Sequence, residues 1–154
     1  MVIDTSTELI RDPASALEEC RLAFIGCGAM AEAMIAGLFR KKLIEPGDVV
    51  GSHPRPARRE ELHVKYGIEM FEHNREAVLA ASPDVSRPGS MVILAVKPQR
   101  VAKVLEDLKG AIHQDQLVLS IVAGTRMQTI IDALLHTAVV RAMPNTPAQI
   151  GEGV

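Results

Sequence analysis

A pair of glycines one residue apart is the first feature of the chain that could do chemistry. The segment GCGAMA follows the short apolar run LAFI, and Gly26, Gly28 and Ala31 fit the spacing G-x-G-x-x-A. In a dinucleotide-binding turn, the first glycine permits the tight bend, the second lets a pyrophosphate approach the backbone, and the small third residue lets helix and strand pack closely. Free N–H groups at the start of the next helix would bind the phosphates. The spacing predicts a nucleotide site, with a ligand-free glycine turn as the alternative.

A basic stretch without acidic residues ends the second predicted strand and bears on the choice of nucleotide. NAD-binding domains place Asp or Glu about 20 residues after the glycines, where it binds the ribose hydroxyls. Here the segment SHPRPARR begins 24 positions after Gly28 and supplies Ser52, His53, Arg55, Arg58 and Arg59. A carboxylate would repel a 2′-phosphate, whereas a hydroxyl and guanidinium groups would bind it through charge-assisted hydrogen bonds. The stretch favours NADP(H) over NAD(H), with Arg55 as the main phosphate ligand and Arg58 or Arg59 free to serve only as surface residues.

The segment AVKPQ after the fourth predicted strand is a further candidate contact for a dinucleotide. It lies where the pyrophosphate or the nicotinamide ribose is expected in such a sheet. Pro98 suits the first position of a helix because it lacks an N–H. Lys97 is a candidate general acid or phosphate ligand, unless its backbone matters more than its amine.

The segments after the fifth and sixth predicted strands carry small and polar residues. In SIVAGT, Ala123 and Gly124 would allow a ring to approach the backbone closely. In MPNTP, Asn145 and Thr146 stand between two prolines, which predicts a rigid, extended loop with polar side chains.

Strand and helix patterns alternate along the chain and would place all of these segments at one edge of a sheet. Six short apolar runs are typical of buried strands: LAFIG, DVVGS, IEMF, MVILAV, LVLSIVAG and AVVRAM. Between them, QRVAKVLEDL puts Val101, Val104, Leu105 and Leu108 on one helix face, and Asn74 is the predicted N-cap of NREAVLAA. Right-handed βαβ units then predict an α/β fold, a Rossmann-type doubly wound parallel sheet with strand order 3-2-1-4-5-6.

Length and composition exclude several classes of protein. The 154 residues suit one ordinary domain, assigned to 21–154, preceded by a polar leader at 1–20. A net charge of −2 gives no basic excess for nucleic acid, and no apolar run approaches the roughly 18 residues of a membrane span. Cys20 and Cys27 are too few for a disulfide framework, and the five histidines show no metal-ligand spacing. We expect a cytoplasmic protein without a metal, in which Cys27 is a small filler residue rather than a reactive thiol.

Five segments together resemble the N-terminal domain of pyrroline-5-carboxylate reductase: FIGCGAMAEAMIAGL, HN at His73 and Asn74, VILAVKPQ, VLSIVAG and VVRAMPNTPAQIGEG. The resemblance covers residues 22 to 154, and the combination of AVKP with MPNTP is more specific than the glycine spacing. It implies proline biosynthesis: NAD(P)H-dependent reduction of the cyclic imine 1-pyrroline-5-carboxylate to L-proline. Hydride would go to the imine carbon and a proton to the nitrogen, so the substrate is a small imino acid.

The resemblance also implies which residues contact the cofactor and the substrate. The cofactor contacts would lie in the glycine loop, after strand 2, at the start of the third helix and in the loops after strands 4 and 5. They are Ile25, Gly26, Cys27, Gly28, Ala29, Met30, Ser52, His53, Arg55, Asn74, Ala95, Val96, Lys97, Pro98, Val122, Ala123 and Gly124. Asn145 and Thr146 would lie near the nicotinamide and the substrate, and no residue is assigned as catalytic.

The chain departs from the family pattern in two side chains and in length. Ala29 stands where an amide is frequent, and the arginine after strand 2 arrives late, in SHPR. Family members continue past GEGV into a helical domain that forms the homodimer and supplies much of the imino-acid site. If the chain ends at Val154, we expect it to bind NADPH but to reduce the imine poorly.

Two alternatives to an imine reductase remain open at this stage. One is a catalytically silent NADP(H)-binding module. The other is a different reductase with the same N-terminal domain, such as a deazaflavin-dependent NADP reductase, against which the MPNTP segment argues.

Overall fold

The computed structural model describes residues 17, 19–86 and 88–145 and shows a six-stranded parallel sheet. The strands are β1 (Cys20–Ile25), β2 (Val49–Ser52), β3 (Glu69–Phe71), β4 (Gly89–Leu94), β5 (Leu117–Ser120) and β6 (Val139–Arg141). Their order is β3-β2-β1-β4-β5-β6, and every neighbouring pair is parallel. This confirms the predicted fold class and strand order. The predicted leader falls almost entirely outside the described residues, as does Thr146.

Helices connect the strands and cover both faces of the sheet. They are α1 (Ala29–Arg40), α2 (Pro56–Tyr66), α3 (Asn74–Ala80), α4 (Val101–Leu108) and α5 (Met127–Leu134), with 3-10 turns at Pro46–Asp48 and Pro98–Arg100. Successive side chains of a strand point to opposite faces. Leu22 and Phe24 of β1 therefore join one apolar core with α1 and α2, while Ala23 and Ile25 join a second core with α3, α4 and α5. Both faces of β1 are buried, as its continuous apolar run predicts.

The helix patterns agree with the structure in position and buried face but not at every helix end. Val104, Leu105 and Leu108 of α4 are buried, and Val101 packs against the same core, as the apolar stripe predicts. Helix α4 begins at Val101, two residues after the start of the predicted segment QRVAKVLEDL. Boundaries of this kind depend on the terminal backbone hydrogen bonds rather than on the apolar pattern.

The carboxyl ends of the central strands are level with one another. Ile25 is paired with Ser52 on one side and with Leu94 on the other, and Leu94 is paired with Ser120. The chain passes from β3 at the sheet edge back to β4 beside β1, so the strand order reverses between β1 and β4. Ligands of doubly wound sheets bind at this switch point, outside the carboxyl ends of the strands.

Candidate functional site

The glycine loop between β1 and α1 has the backbone geometry that its spacing predicts. Gly26 has a φ of +87°, and a Cβ at this position would lie 2.5 Å from Cγ1 of Val96. The N–H groups of Gly26 and Cys27 both donate to the carbonyl oxygen of Ser52, at 3.2 and 3.0 Å. The bend therefore requires glycine at position 26 for its backbone angle and for its approach to the loop after β4.

Gly28 precedes α1 and faces open space. A Cβ built on Gly28 meets no atom within 4 Å, and no side chain caps the helix. The N–H groups of the first helical turn thus face a surface that an anion can approach. Ala31, in the first turn of α1, is fully buried, which agrees with the predicted need for a small third residue.

Cys27 is a packing residue. Its side chain is fully buried, its Sγ donates to the carbonyl oxygen of Phe24 at 3.4 Å, and burial raises the pKa of the thiol to about 12. A thiol with that pKa is protonated at neutral pH and is a poor nucleophile. The prediction of a filler residue is confirmed. Of the two methionines beyond it, Met34 packs against the core, while Met30, a predicted cofactor contact, is half-buried beside the loop.

A chain of polar side chains crosses the site from β2 to α4. Ser52 is fully buried, and its hydroxyl donates to Oδ1 of Asn74 at 2.9 Å. Nδ2 of Asn74 donates to Oδ2 of Asp107 at 3.0 Å. These bonds correct the predicted N-cap role: Asn74 is the first residue of α3, the N-cap is His73, and the Asn74 amide links two other elements. Direct contact of the Ser52 hydroxyl with a phosphate stays a prediction, and it would require the bond to Asn74 to break.

The three arginines after β2 have different surroundings. Arg55 is exposed at the residue before α2, and its guanidinium makes no hydrogen bond or ion pair with another described residue. Arg59 donates to the carbonyl oxygens of His53 and Pro54, at 2.8 and 3.0 Å, and pairs with Glu72 at 3.1 Å. Arg55 is thus the cation available to a new anion, as predicted, whereas Arg59 holds the loop in shape and is more than a surface residue.

Arg58 is the least exposed of the three arginines, with 12% of its side chain accessible. Its Nε donates to the carbonyl oxygen of Cys27 at 3.1 Å, and its Nη2 lies 2.6 Å from Oε2 of Glu32 in the first turn of α1. Nη1 pairs with Glu61 at 2.9 Å. The expectation that Arg58 could serve only as a surface residue is therefore wrong, because its side chain joins α2 to the glycine loop.

The surroundings of His53 favour its neutral imidazole form. Burial lowers its pKa, and the positive charges of Arg55 and Arg58 lower it further. Its Nδ1 accepts the N–H of Arg55 at 3.2 Å, which leaves the proton of the neutral ring on Nε2. The ring therefore shapes the turn that presents Arg55, and the positive charge of this turn comes from its arginines.

A cavity of about 580 Å³ lies beside the glycine loop, between the end of β2 and the start of α4. Its walls include Gly26, Val96 and Asn74 from the predicted site. They also include Arg100 and Lys103, which were not among the predicted site residues. Their spacing of one helical turn after Pro98 is visible in the sequence and could have indicated a basic helix face near the site. The cavity has the size and position of an adenosine pocket in a doubly wound fold.

The loops after β4 and β5 reach the same edge of the sheet. The N–H of Ala95 donates to the carbonyl oxygen of Ile25 at 2.9 Å, Lys97 is exposed, and Pro98 opens the 3-10 turn as predicted. After β5, Val122 is buried while Ala123 and Gly124 are exposed. Asn145 is exposed after β6, and Thr146 lies outside the described residues.

Within residues 19–86 and 88–145, no group of three His, Cys, Asp or Glu side chains is arranged to hold a metal ion. Over the same residues, no helix has the length and apolar character needed to cross a bilayer.

The sheet order, the glycine loop and the cavity at the switch point define a dinucleotide-binding domain of the Rossmann type. Residues 21–124 match the family described as "NADP oxidoreductase coenzyme F420-dependent", and the chain belongs to that family.

Individual relatives carry a more specific name. The chain is 37% identical over 134 residues to a pyrroline-5-carboxylate reductase of Synechocystis, a match that covers 87% of this chain and 47% of that protein. It is 34% identical over 137 residues to the enzyme of the same name from Escherichia coli, covering 88% and 48%. The structure of a pyrroline-5-carboxylate reductase from Coxiella burnetii superposes with a TM-score of 0.78 and 29% identity, covering 88% of this chain and 48% of that one. The chain spans about half the length of the curated relatives it matches.

Proposed function

We propose that the chain is the cofactor-binding domain of an NADPH-dependent reductase that converts 1-pyrroline-5-carboxylate to L-proline in the cytoplasm. The observation that carries this proposal is the 37% identity with a named pyrroline-5-carboxylate reductase. That match spans 134 residues, whereas the broader family match spans residues 21–124.

The residues of the glycine loop fit the phosphates of NADPH. Gly28 leaves the space in which a pyrophosphate would approach, and the first turn of α1 offers N–H groups and positive dipole. A pyrroline carboxylate reductase of Plasmodium falciparum with NADP bound has the same fold, at a TM-score of 0.70 and 23% identity. We expect Ala29 and Met30 to supply the nearest backbone N–H groups.

The side of the site after β2 fits a 2′-phosphate. The Arg55 guanidinium there pairs with no other described residue, and the fully buried Ser52 occupies the last position of β2, where NAD-binding domains carry a carboxylate. No carboxylate of this stretch would repel the phosphate. We therefore propose NADP(H) as the preferred cofactor and NAD(H) as the weaker one.

The loops after β4, β5 and β6 would face the nicotinamide half of the cofactor. When bound, NADPH supplies the hydride that reduces the imine carbon. Lys97 is exposed at this edge and could bind a phosphate, while the exposed Ala123 and Gly124 leave room for a ring. Asn145 remains the predicted substrate-proximal residue among those described.

The description of the family favours a second candidate function, transfer of hydride between NADP and coenzyme F420. Both candidate functions would use the glycine loop and the NADP side of the site. They differ in the molecule that exchanges hydride with the nicotinamide, which is the imine in the first and coenzyme F420 in the second. The length of the match to the reductase relatives favours the imine.

An isotope experiment separates the two candidates. The whole reductase that contains this domain is incubated with NADPH that carries deuterium at the transferred C4 position and with 1-pyrroline-5-carboxylate, and proline is analysed by mass spectrometry. The proposal predicts proline with one deuterium on the former imine carbon. A parallel incubation with NADP and reduced coenzyme F420 tests the second candidate. Formation of NADPH there, with no labelled proline in the first incubation, would support that candidate instead.

A further inference from the structure

Arg58 connects three elements through one nearly buried guanidinium. Nε donates to the carbonyl oxygen of Cys27 at 3.1 Å, Nη2 to Glu32 at 2.6 Å, and Nη1 pairs with Glu61 at 2.9 Å. The first partner belongs to the glycine loop, the second to α1 and the third to its own helix, α2. Three donors of one planar group thereby hold these partners in a fixed relative arrangement.

The bond to Cys27 fixes the peptide group that precedes Gly28. The carbonyl of Cys27 and the N–H of Gly28 belong to the same planar unit, so that orienting one orients the other. The oxygen accepts from Arg58, and the N–H donates to the carbonyl oxygen of Gly26 at 2.7 Å. Both ends of the peptide group at the open position of the loop are therefore held.

The bond to Glu32 controls a charge that would oppose a pyrophosphate. Glu32 is an acidic residue in the first turn of α1, where the phosphates are expected. Its carboxylate accepts from Arg58, from Lys65 at 2.7 Å and from the Tyr66 hydroxyl at 3.0 Å. Two cations on α2 thus offset the repulsion between this carboxylate and an anionic ligand.

We propose that Arg58 is a positioning residue for the dinucleotide, which orients the glycine loop and neutralises Glu32 without touching the ligand. It stands three positions after Arg55, so α2 couples the loop for the pyrophosphate to the arginine for the 2′-phosphate. This inference rests on the proposed binding of NADPH and adds a residue that neither the glycine spacing nor the relatives assign.

Cofactor titrations distinguish positioning from phosphate binding. Arg58→Gln is expected to weaken NADPH and NADH equally, by about tenfold, because the glycine loop serves both cofactors. Arg55→Gln is expected to weaken NADPH alone. Arg58→Lys keeps a cation near Glu32 and should recover part of the loss. Lys65→Met removes the other cation of Glu32 but leaves the Cys27 bond, so we expect it to weaken both cofactors less than Arg58→Gln does.

A measurement without cofactor tests the same residue independently. Hydrogen exchange of the Gly28 amide should accelerate in Arg58→Gln and stay at the wild-type rate in Lys65→Met. If Arg58 serves stability alone, Arg58→Gln will have a lower melting temperature, but its cofactor affinities will be unchanged. Its Gly28 exchange will also be unchanged relative to global unfolding. That combination would overturn the inference. If the wild-type chain binds neither cofactor, the proposed function fails. Gly28 exchange still decides the role of Arg58 in that case: faster exchange in Arg58→Gln means that Arg58 positions the loop, and an unchanged rate means that it does not.

Discussion

The two glycines of the loop are required for different physical reasons. Gly26 has a positive φ, and a Cβ there would overlap Val96, so its replacement strains the folded backbone. Gly28 has an extended backbone and open space around the missing Cβ, so a side chain fits the protein but occupies the approach of a phosphate. The fold therefore requires glycine at position 26, whereas the proposed phosphate site would require it at position 28.

This difference predicts opposite phenotypes for two substitutions. Gly26→Ala should lower the free energy of unfolding by roughly 1–3 kcal/mol, the usual magnitude for a strained backbone position. Gly28→Val should leave the free energy of unfolding within about 1 kcal/mol of wild type, because surface substitutions without a clash have small effects. It should weaken NADPH binding at least about tenfold, because its side chain fills the approach. Denaturant unfolding and NADPH titration measure both effects, and wild-type affinity in Gly28→Val would refute the assignment.

The carboxylate of Glu32 predicts an acid-sensitive contribution to stability. Burial alone would raise its pKa, but hydrogen bonds from Lys65, Arg58 and Tyr66 outweigh burial and lower the pKa to about 2. A group whose pKa is lower in the folded state stabilises the protein above its unfolded pKa, near 4.5, and loses this contribution as pH falls through its folded pKa.

The expected result is a steeper loss of stability between pH 5 and pH 2 in the wild type than in Glu32→Gln. Urea unfolding at a series of pH values measures this difference. Glu60→Gln is the matched control, since Glu60 is exposed and has no ion pair with another described residue. Parallel pH profiles for wild type and Glu32→Gln would contradict the role of the Glu32 contacts.

At the residue scale, the sequence indicates candidate cofactor contacts more readily than the residues that hold those contacts in place. Arg55 could be selected because the absence of a carboxylate at the end of β2 is visible in the sequence. The contacts of Arg58 with Cys27 and Glu32 join positions 31 and 26 residues apart, and such partners emerge only when two helices pack on one face. The bond between Ser52 and Asn74 likewise depends on tertiary packing, here of the start of α3 against the end of β2.

The buried side-chain amide of Gln116 links helices and strands near the amino ends of the strands, at the opposite end of the sheet from the glycine loop. Gln116, just before β5, donates from Nε2 to Ser90 at 3.0 Å and to the carbonyl oxygens of Val78 and Ala81 near the end of α3. Its Oε1 accepts the N–H of His113 at 2.8 Å. It thereby satisfies carbonyl groups that the end of α3 leaves without helical partners.

Gln116→Leu should therefore destabilise the fold without affecting the cofactor. Buried groups that lose their partners cost about 1–3 kcal/mol, which is the expected decrease in the free energy of unfolding. The exposed Gln128, bonded to Asp132 at 2.8 Å, provides the control, since Gln128→Leu should change stability by about 0.5 kcal/mol or less. An NADPH dissociation constant that shifts in Gln116→Leu would contradict the separation of these two ends of the sheet.

Element types followed from the sequence more readily than element ends. The continuous apolar run of β1 reflects burial on both faces of the strand, and the apolar stripe of α4 reflects burial on one face of the helix. Such patterns are local and can be read from the sequence. The start of α3 was misassigned because Asn74 is a good N-cap in isolation, whereas here Ser52 and Asp107 bind its amide. Competition from tertiary partners is not visible in the local pattern.

The strand order of the whole molecule was predictable because few topologies satisfy the alternation of strands and helices. Right-handed crossovers put α1 and α2 on one face, and the return to β4 puts α3, α4 and α5 on the other. This arrangement brings loops from residues 26, 53 and 96 to one edge, where the cavity lies. That Arg100 and Lys103 line this cavity, together with Glu72, Glu106 and Asp107, does not follow from the glycine motif, because it depends on how α4 faces the cavity.

The central claim is that this edge binds NADPH and selects it through Arg55. Titration of the wild-type chain with NADPH and NADH, repeated for Arg55→Glu, tests it most directly. Arg40→Glu, at the exposed end of α1, controls for the change in net charge. A charge-assisted hydrogen bond contributes about 1.5–3 kcal/mol, so wild type should bind NADPH roughly 10- to 150-fold more tightly than NADH. Arg55→Glu should lose this preference and keep its NADH affinity, while Arg40→Glu should keep both affinities. Equal affinity of the wild-type chain for the two cofactors would contradict the account.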